Sequence, residues 1–118
     1  MPIIPITIRH HSQSAKVEAY VDSGAFYSIL SMEVARGLDL NLNHAKKRTF
    51  VVGDGNQIST RILKLAVEIG TQSFLADVAF SEELRVGFNL LGRRSIFEHF
   101  EEVVFQERKK KILFRFNP

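Results

Sequence analysis

The sequence predicts a mainly β fold, with short strands closed into a barrel or packed as a sandwich and one or two short helices among them. Two observations carry this expectation. Apolar residues recur with period two through several short segments, the spacing that puts alternate side chains on one face of a strand. Turn-forming clusters, among them Asp22-Ser23-Gly24, Gly53-Asp54-Gly55-Asn56 and Gly70-Thr71-Gln72, separate those segments at short intervals. That rhythm fits a closed or sandwiched sheet better than alternating βαβ units.

Taken in order, Ile4, Ile6 and Ile8 alternate with Pro5 and Thr7, which predicts an N-terminal strand starting at a sheet edge, where proline is tolerated. Val17, Ala19 and Val21 form a second period-two set that stops at Asp22-Ser23-Gly24, and Ala25 to Leu30 reads as another short strand. Ser31 to Gly37 reads as a short helix, with Ser31 as its cap, Glu33 at the positive end of its dipole and Gly37 closing it. Residues 41–48 read as a polar loop. Thr49 to Thr60 reads as a hairpin whose Asp54-Gly55 pair accepts the backbone angles of a tight turn. Further strands are expected over residues 62–69, 74–80 and 88–91. A helix from Arg93 to about Phe100 would bury Ile96, Phe97 and Phe100. Val103-Val104-Phe105 and Ile112 to Phe116 close the chain as strands around a charged turn.

A chain of 118 residues suits one compact domain spanning residues 1–118. An apolar fraction of 45% and a charged fraction of 25% are those of an ordinary globular protein and argue against disorder. The absence of cysteine excludes disulfides, thiolate catalysis and cysteine-rich zinc sites. The first residues lack the charged start and apolar run of a secretory signal, and no apolar stretch reaches membrane-spanning length. The expectation is therefore a chain without signal peptide or transmembrane segment, with a cytoplasmic location favoured. Net charge is +3, concentrated in Lys46-Lys47-Arg48, Arg93-Arg94 and Lys109-Lys110-Lys111. These clusters read as solvated turns or helix starts rather than a nucleic-acid surface, because the nearby Phe114 and Phe116 alternate as core-facing strand residues do.

Asp22-Ser23-Gly24 is the one constellation that carries chemistry. Alone it is a common turn former. Its flanks raise its weight: it joins two apolar segments, and so sets a carboxylate at the end of core-forming strands, where desolvation is costly unless the group is hydrogen-bonded or shares a proton. His10, His11, His44 and His99 lack the helical spacing of a zinc protease. No Gly-x-Ser-x-Gly nucleophile elbow and no phosphate-binding glycine loop occurs. Neither a cofactor nor a metal is expected.

Here the sequence resembles the retropepsin family of aspartic proteases. The resemblance rests on Val21-Asp22-Ser23-Gly24-Ala25 followed by Ser28 and Leu30, on the flap-like hairpin Val51-Val52-Gly53-Asp54-Gly55-Asn56, on the strand from Lys64 to Gly70 with its partner from Phe74, and on Phe88-Asn89-Leu90-Leu91-Gly92-Arg93. All four occur in the family's order and together span roughly residues 15–100. Ser23 stands where many relatives have threonine, Phe26 where viral members often have a second acid, and Asp54 at a flap tip that is often glycine-rich.

The resemblance implies a closed acid-protease barrel acting as a homodimer. Asp22 and its copy from a second chain would share one proton. The ionised partner would activate a water and the protonated one would polarise the scissile carbonyl, with no acyl-enzyme. Ser23, Gly24 and Ala25 would support the active-site loop, and Val52, Gly53, Asp54 and Gly55 would close over an extended peptide. Dimerisation follows from counting: Asp39, Asp54 and Asp77 lack the Ser/Thr-Gly context, so one chain supplies one such loop. The terminal strands Ile3 to Ile8 and Ile112 to Phe116 are candidates for an intermolecular sheet. Partners would be a second copy and a peptide or protein substrate, with bulky apolar side chains preferred at the cut and no nucleic acid. Rival readings are a retropepsin-like dimerisation or peptide-binding module with weak or no catalysis, and a small basic nucleic-acid-binding barrel.

Overall fold

The computed structural model describes residues 2–22, 24–25, 27–51, 55–83, 89–93 and 96–116. The fold is mostly β and contains a closed six-stranded barrel. Its strands are β1 (Ile3–His10), β2 (Gln13–Val21), β3 (Ile29–Ser31), β4 (Lys46–Val51), β5 (Gln57–Ile69), β6 (Gln72–Ser81) and β7 (Asn89–Leu91), with β8 (Glu102–Gln106) and β9 (Lys111–Arg115) as a separate two-stranded sheet. One short helix, α1 (Met32–Gly37), follows β3.

The barrel closes because β1 pairs antiparallel with β2 along its whole length and, from Thr7 to Arg9, with β5 on its other side. Between them run β7, parallel to β2, then β3 and β6, in the order β1-β2-β7-β3-β6-β5. The period-two sets point where the alternation predicts: Ile6 and Ile8 of β1, Ala19 and Val21 of β2, and Leu65, Val67 and Ile69 of β5 fill the interior with Val78 and Phe80 of β6.

β5 serves two layers. Its odd-numbered residues from Leu63 to Ile69 face the main core, whereas Ile58 and Ile62 face a second cluster with Ile29, Phe50 and Ala79. The strand outruns the barrel, and β4 pairs with the overhang in a hairpin, from Lys46↔Ile62 to Val51↔Gln57.

Four sequence expectations change. Lys46-Lys47-Arg48 is neither loop nor turn but the first half of β4; charged residues suit an edge strand, and no buried position before Phe50 betrays the alternation. Ala25, Tyr27 and Ser28, the described residues between Gly24 and Ile29, form no strand: Ala25 bonds to Asp22 and to Arg93, Ser28 Oγ accepts from Gly92 N just past β7, and Ser28 O accepts from Ala79 N of β6. Gly37 lies inside α1 and does not close it; the left-handed position is Asp39, with φ 55°. Of the helix expected from Arg93 to about Phe100, the described residues show a 3-10 turn over Phe97–His99, with Ile96 and Phe100 buried on either side of it. The cap is as expected: Ser31 Oγ accepts from Glu33 N at 3.3 Å.

β1 is not a free terminal strand. Only its Ile3–Ile6 half keeps one unpaired edge among the described residues. Among the described residues β9 pairs with β8 alone, in the register Val103↔Phe114 and Phe105↔Ile112, and Val103, Ile112 and Phe114 pack on the barrel core.

Phe80, fully buried where β6 meets β3, tests this core. Phe80→Ala should lower unfolding free energy by about 3–5 kcal/mol, while Leu75→Ala on the exposed face of the same strand should change it by less than about 0.5 kcal/mol. Urea denaturation of both variants against the parent measures the contrast.

Candidate active site

The site is built where β2 ends. Val21 pairs in parallel with Leu91, and the Asp22 amide donates to Leu91 O at 3.0 Å, carrying the ladder one residue past the strand. The chain then turns on itself. The Ala25 amide donates to Asp22 O at 3.1 Å, and the Gly24 amide donates to Asp22 Oδ1 at 2.9 Å. The half-buried Asp22 carboxylate is thus held inside its own loop as an Asx turn. A β-carbon on Gly24 would come within 3.3 Å of Asp22 Oδ1, so glycine keeps that amide close to the carboxylate.

The loop is fixed from below by β7 and the residues after it. Gly92 N donates to the buried Ser28 Oγ at 2.9 Å, and Arg93 N donates to Ala25 O at 3.0 Å. Gly92 is irreplaceable on steric grounds: a β-carbon there would lie 2.4 Å from Tyr27 O and 2.9 Å from Ala25 O. Buried Asn89 ties the neighbouring strands together, accepting from Ser31 N at 2.9 Å through Oδ1 and donating to Glu18 O at 3.0 Å through Nδ2.

Above the loop lies a cleft of about 610 Å³. Its lining brings together Asp22, Gly24 and Ala25 of the loop, Ile29 and Leu90 of β3 and β7, and Phe50 and Val51 of the β4–β5 hairpin. Tyr27 stacks on Phe50 with ring centroids 4.4 Å apart, and the Arg48 guanidinium stands 4.8 Å from the Tyr27 centroid and 5.6 Å from that of Phe50. Val51 is 70% exposed at the rim, and the hairpin base is anchored by the cluster of Ile29, Phe50, Ile58 and Ala79.

Of the residues singled out in the sequence, Asp22, Gly24 and Ala25 therefore meet in one cleft, and Gly55 sits just before β5 with φ 86°, as a tight turn requires. Ser23, Val52, Gly53 and Asp54 lie outside the described residues. Sequence reasoning gave no site role to Tyr27, Arg48 or Asn89, and gave Phe50 one only as the first residue of a flap expected around residues 50–58. Only the Asn at the head of an apolar-apolar-Gly run pointed to Asn89. The grouping of the other three exists only once β4 folds over the loop.

No protein-family model matches the chain, and no curated protein matches it by sequence. Solved structures do. The chain is similar to a retropepsin-like aspartic protease from Rickettsia conorii, with TM-score 0.66 and 23% identity over 89% of this chain and 76% of that one. It is also similar to the retroviral protease-like domain of Ddi1 from Leishmania major, with TM-score 0.63 and 18% identity over 100% of this chain and 94% of that one. A third likeness is to the EIAV protease complexed with the inhibitor HBY-793, with TM-score 0.59 and 16% identity over 78% and 81% of the two chains. The fold is that of the retropepsin-like aspartic proteases.

The contacts beneath the loop set two expected outcomes. Ser28→Ala strands the buried Gly92 amide and should cost about 1–3 kcal/mol. Gly92→Ala forces backbone apart and should cost at least as much, about 2–3 kcal/mol. Denaturant titration of each variant reads both.

Proposed function

We propose that the chain is an aspartic endopeptidase that works as a homodimer, with Asp22 and its copy from a second chain as the catalytic pair. The observation that supports this reading is the position of Asp22: a carboxylate at the end of a buried parallel strand pair, lining a cleft together with Phe50 and Val51 of a hairpin, within a retropepsin-like fold. The chain has one Asp-Ser-Gly loop, so a second chain has to provide the other acid.

Two carboxylates brought to short range hold one proton between them. The ionised member would take a proton from water as that water attacks the peptide carbonyl, and the protonated member would donate to the carbonyl oxygen. Ser23, Gly24 and Ala25 would hold the loop. The hairpin, with Val52, Gly53, Asp54 and Gly55 at its tip, would close over the peptide, adding backbone hydrogen bonds and excluding water. Peptide or protein is the proposed substrate, and Ile29, Phe50 and Leu90 favour apolar side chains next to the cut.

A second reading, a peptide-binding or dimerisation module without turnover, draws on the Asx turn: Asp22 Oδ1 already accepts the Gly24 amide, an arrangement that also makes a good turn with no chemistry attached.

Incubation with a diverse peptide library separates the two. Cleavage by the parent should fall by at least about a hundredfold in Asp22→Asn. At low protein concentration the rate should rise faster than linearly with chain concentration, and excess Asp22→Asn should suppress the parent by forming mixed dimers. Cleavage retained by Asp22→Asn, or indifferent to excess of it, would remove the dyad; binding of peptides with no cleavage would leave the module.

A further inference from the structure

The basic run Lys46-Lys47-Arg48 has no part in the chemistry above, yet strand geometry turns two of its side chains toward the site. In β4 the alternation puts Lys46 and Arg48 on the same face as Phe50, the residue buried against the second cluster. Arg48 lines the cleft that contains Asp22. It also lines a smaller adjoining cavity of about 210 Å³, whose wall includes Lys46, Asp77 and the shared Tyr27. Arg48 and Tyr27 therefore stand at the junction of the two spaces.

The guanidinium is held there by packing rather than by an opposing charge. It lies over the stacked Tyr27 and Phe50 rings, a placement that orients a cation while leaving its N–H groups able to donate. Among the described residues no carboxylate forms a salt bridge with Arg48. The nearby acids have other partners: Asp77 pairs with Lys64 at 3.9 Å, Glu82 pairs with Arg36, and Glu83 accepts the Ser59 amide. The smaller cavity thus presents two cations, Arg48 and Lys46, against Asp77, which already has its own counter-charge, while Asp22 is the acid described in the lining of the larger cleft.

The geometry points to an acid-selective subsite: Arg48, backed by Lys46 and positioned by Tyr27 and Phe50, receives the carboxylate of a Glu or Asp side chain on an extended peptide lying in the Asp22 cleft. This rests on the cleft being a peptide site, as proposed above, and adds to it a specificity that the apolar walls do not supply. A peptide side chain directed at Tyr27 meets a planar donor fork suited to a carboxylate, whereas a lysine or arginine there meets like charge.

The test uses extended peptides identical except for Glu against Gln, scanned through each position. Binding is read by fluorescence anisotropy on Asp22→Asn, and kcat/KM is read on the parent. At one position the Glu peptide should bind about fivefold tighter than the Gln peptide. That gap should vanish when Arg48→Met is added, and Arg48→Glu should instead favour a Lys peptide at the same position. Equal binding of Glu and Gln peptides at every position overturns the subsite, as does a gap that survives in folded Arg48→Met. Should Arg48→Met fail to fold, the gap must persist in Arg48→Lys and shrink as salt is raised; a gap indifferent to salt overturns the assignment. The protease reading fails separately: Glu-selective binding with no cleavage keeps the subsite and removes the enzyme, cleavage with no Glu preference does the reverse, and binding of neither peptide removes both.

Discussion

Gly92 comes so close to the loop after Asp22 that no side chain fits between them, and the candidate site depends on that approach. The segment from Leu91 to Arg93 offers one carbonyl and two amides to the loop, accepting from Asp22 N and donating to Ser28 Oγ and Ala25 O. An irregular, partly buried loop cannot leave its polar groups without partners, and here a run distant in sequence supplies them. The approach works only because β7 runs parallel to β2 and so ends level with Asp22. Asn89, at the start of β7, holds the strands on either side at fixed height through its two amide bonds. Side-chain hydrogen bonds of this buried kind set position as much as stability.

The hairpin obeys a different constraint. It is joined to the barrel because β5 is longer than the sheet it helps close, and its inner face is secured by four buried apolar residues. Contacts of this type tolerate sliding and repacking better than a saturated hydrogen-bond network does. The Asp22 loop is therefore held by a hydrogen-bond network and the hairpin base by apolar packing, two different kinds of constraint on the residues that line one cleft.

Much of this was legible in the sequence where water and core alone decide the pattern. The alternation in β1, β2, β5 and β6 is legible because each buries every second residue over part of its length, and Asp22-Ser23-Gly24 stands out as polar turn chemistry between apolar runs. What escaped was set by distant partners. Ala25 and Ser28 fall in what looks like a strand, but Ala25 bonds to Asp22 and Arg93, and Ser28 Oγ accepts from Gly92 N. Lys46 to Arg48 look like a loop because an edge strand lying over a cleft shows no buried residue until Phe50. Ile96, Phe97 and Phe100 are spaced for a helix, and among the described residues the first and last of them are buried at the two ends of a 3-10 turn. The Tyr27, Phe50 and Arg48 stack could not be read at all, since it joins two segments whose pairing is known only from the fold.

These observations bear on why so short a chain would act in pairs. The hydrogen bonds that hold Asp22 are satisfied from within one chain, so the loop needs no partner to adopt its shape. The carboxylate is nevertheless only half buried and lines a cleft with one acid loop on its wall. Were two chains to pair as proposed, a loop already shaped within each would make assembly a matter of bringing two formed surfaces together rather than of folding on contact, which would lower its entropic cost. Dimer affinity would then be set by apolar surface such as Ile3, Leu113 and Phe116 at the ends of the chain, and the chemistry by the loop. The two properties could be altered independently by substitution.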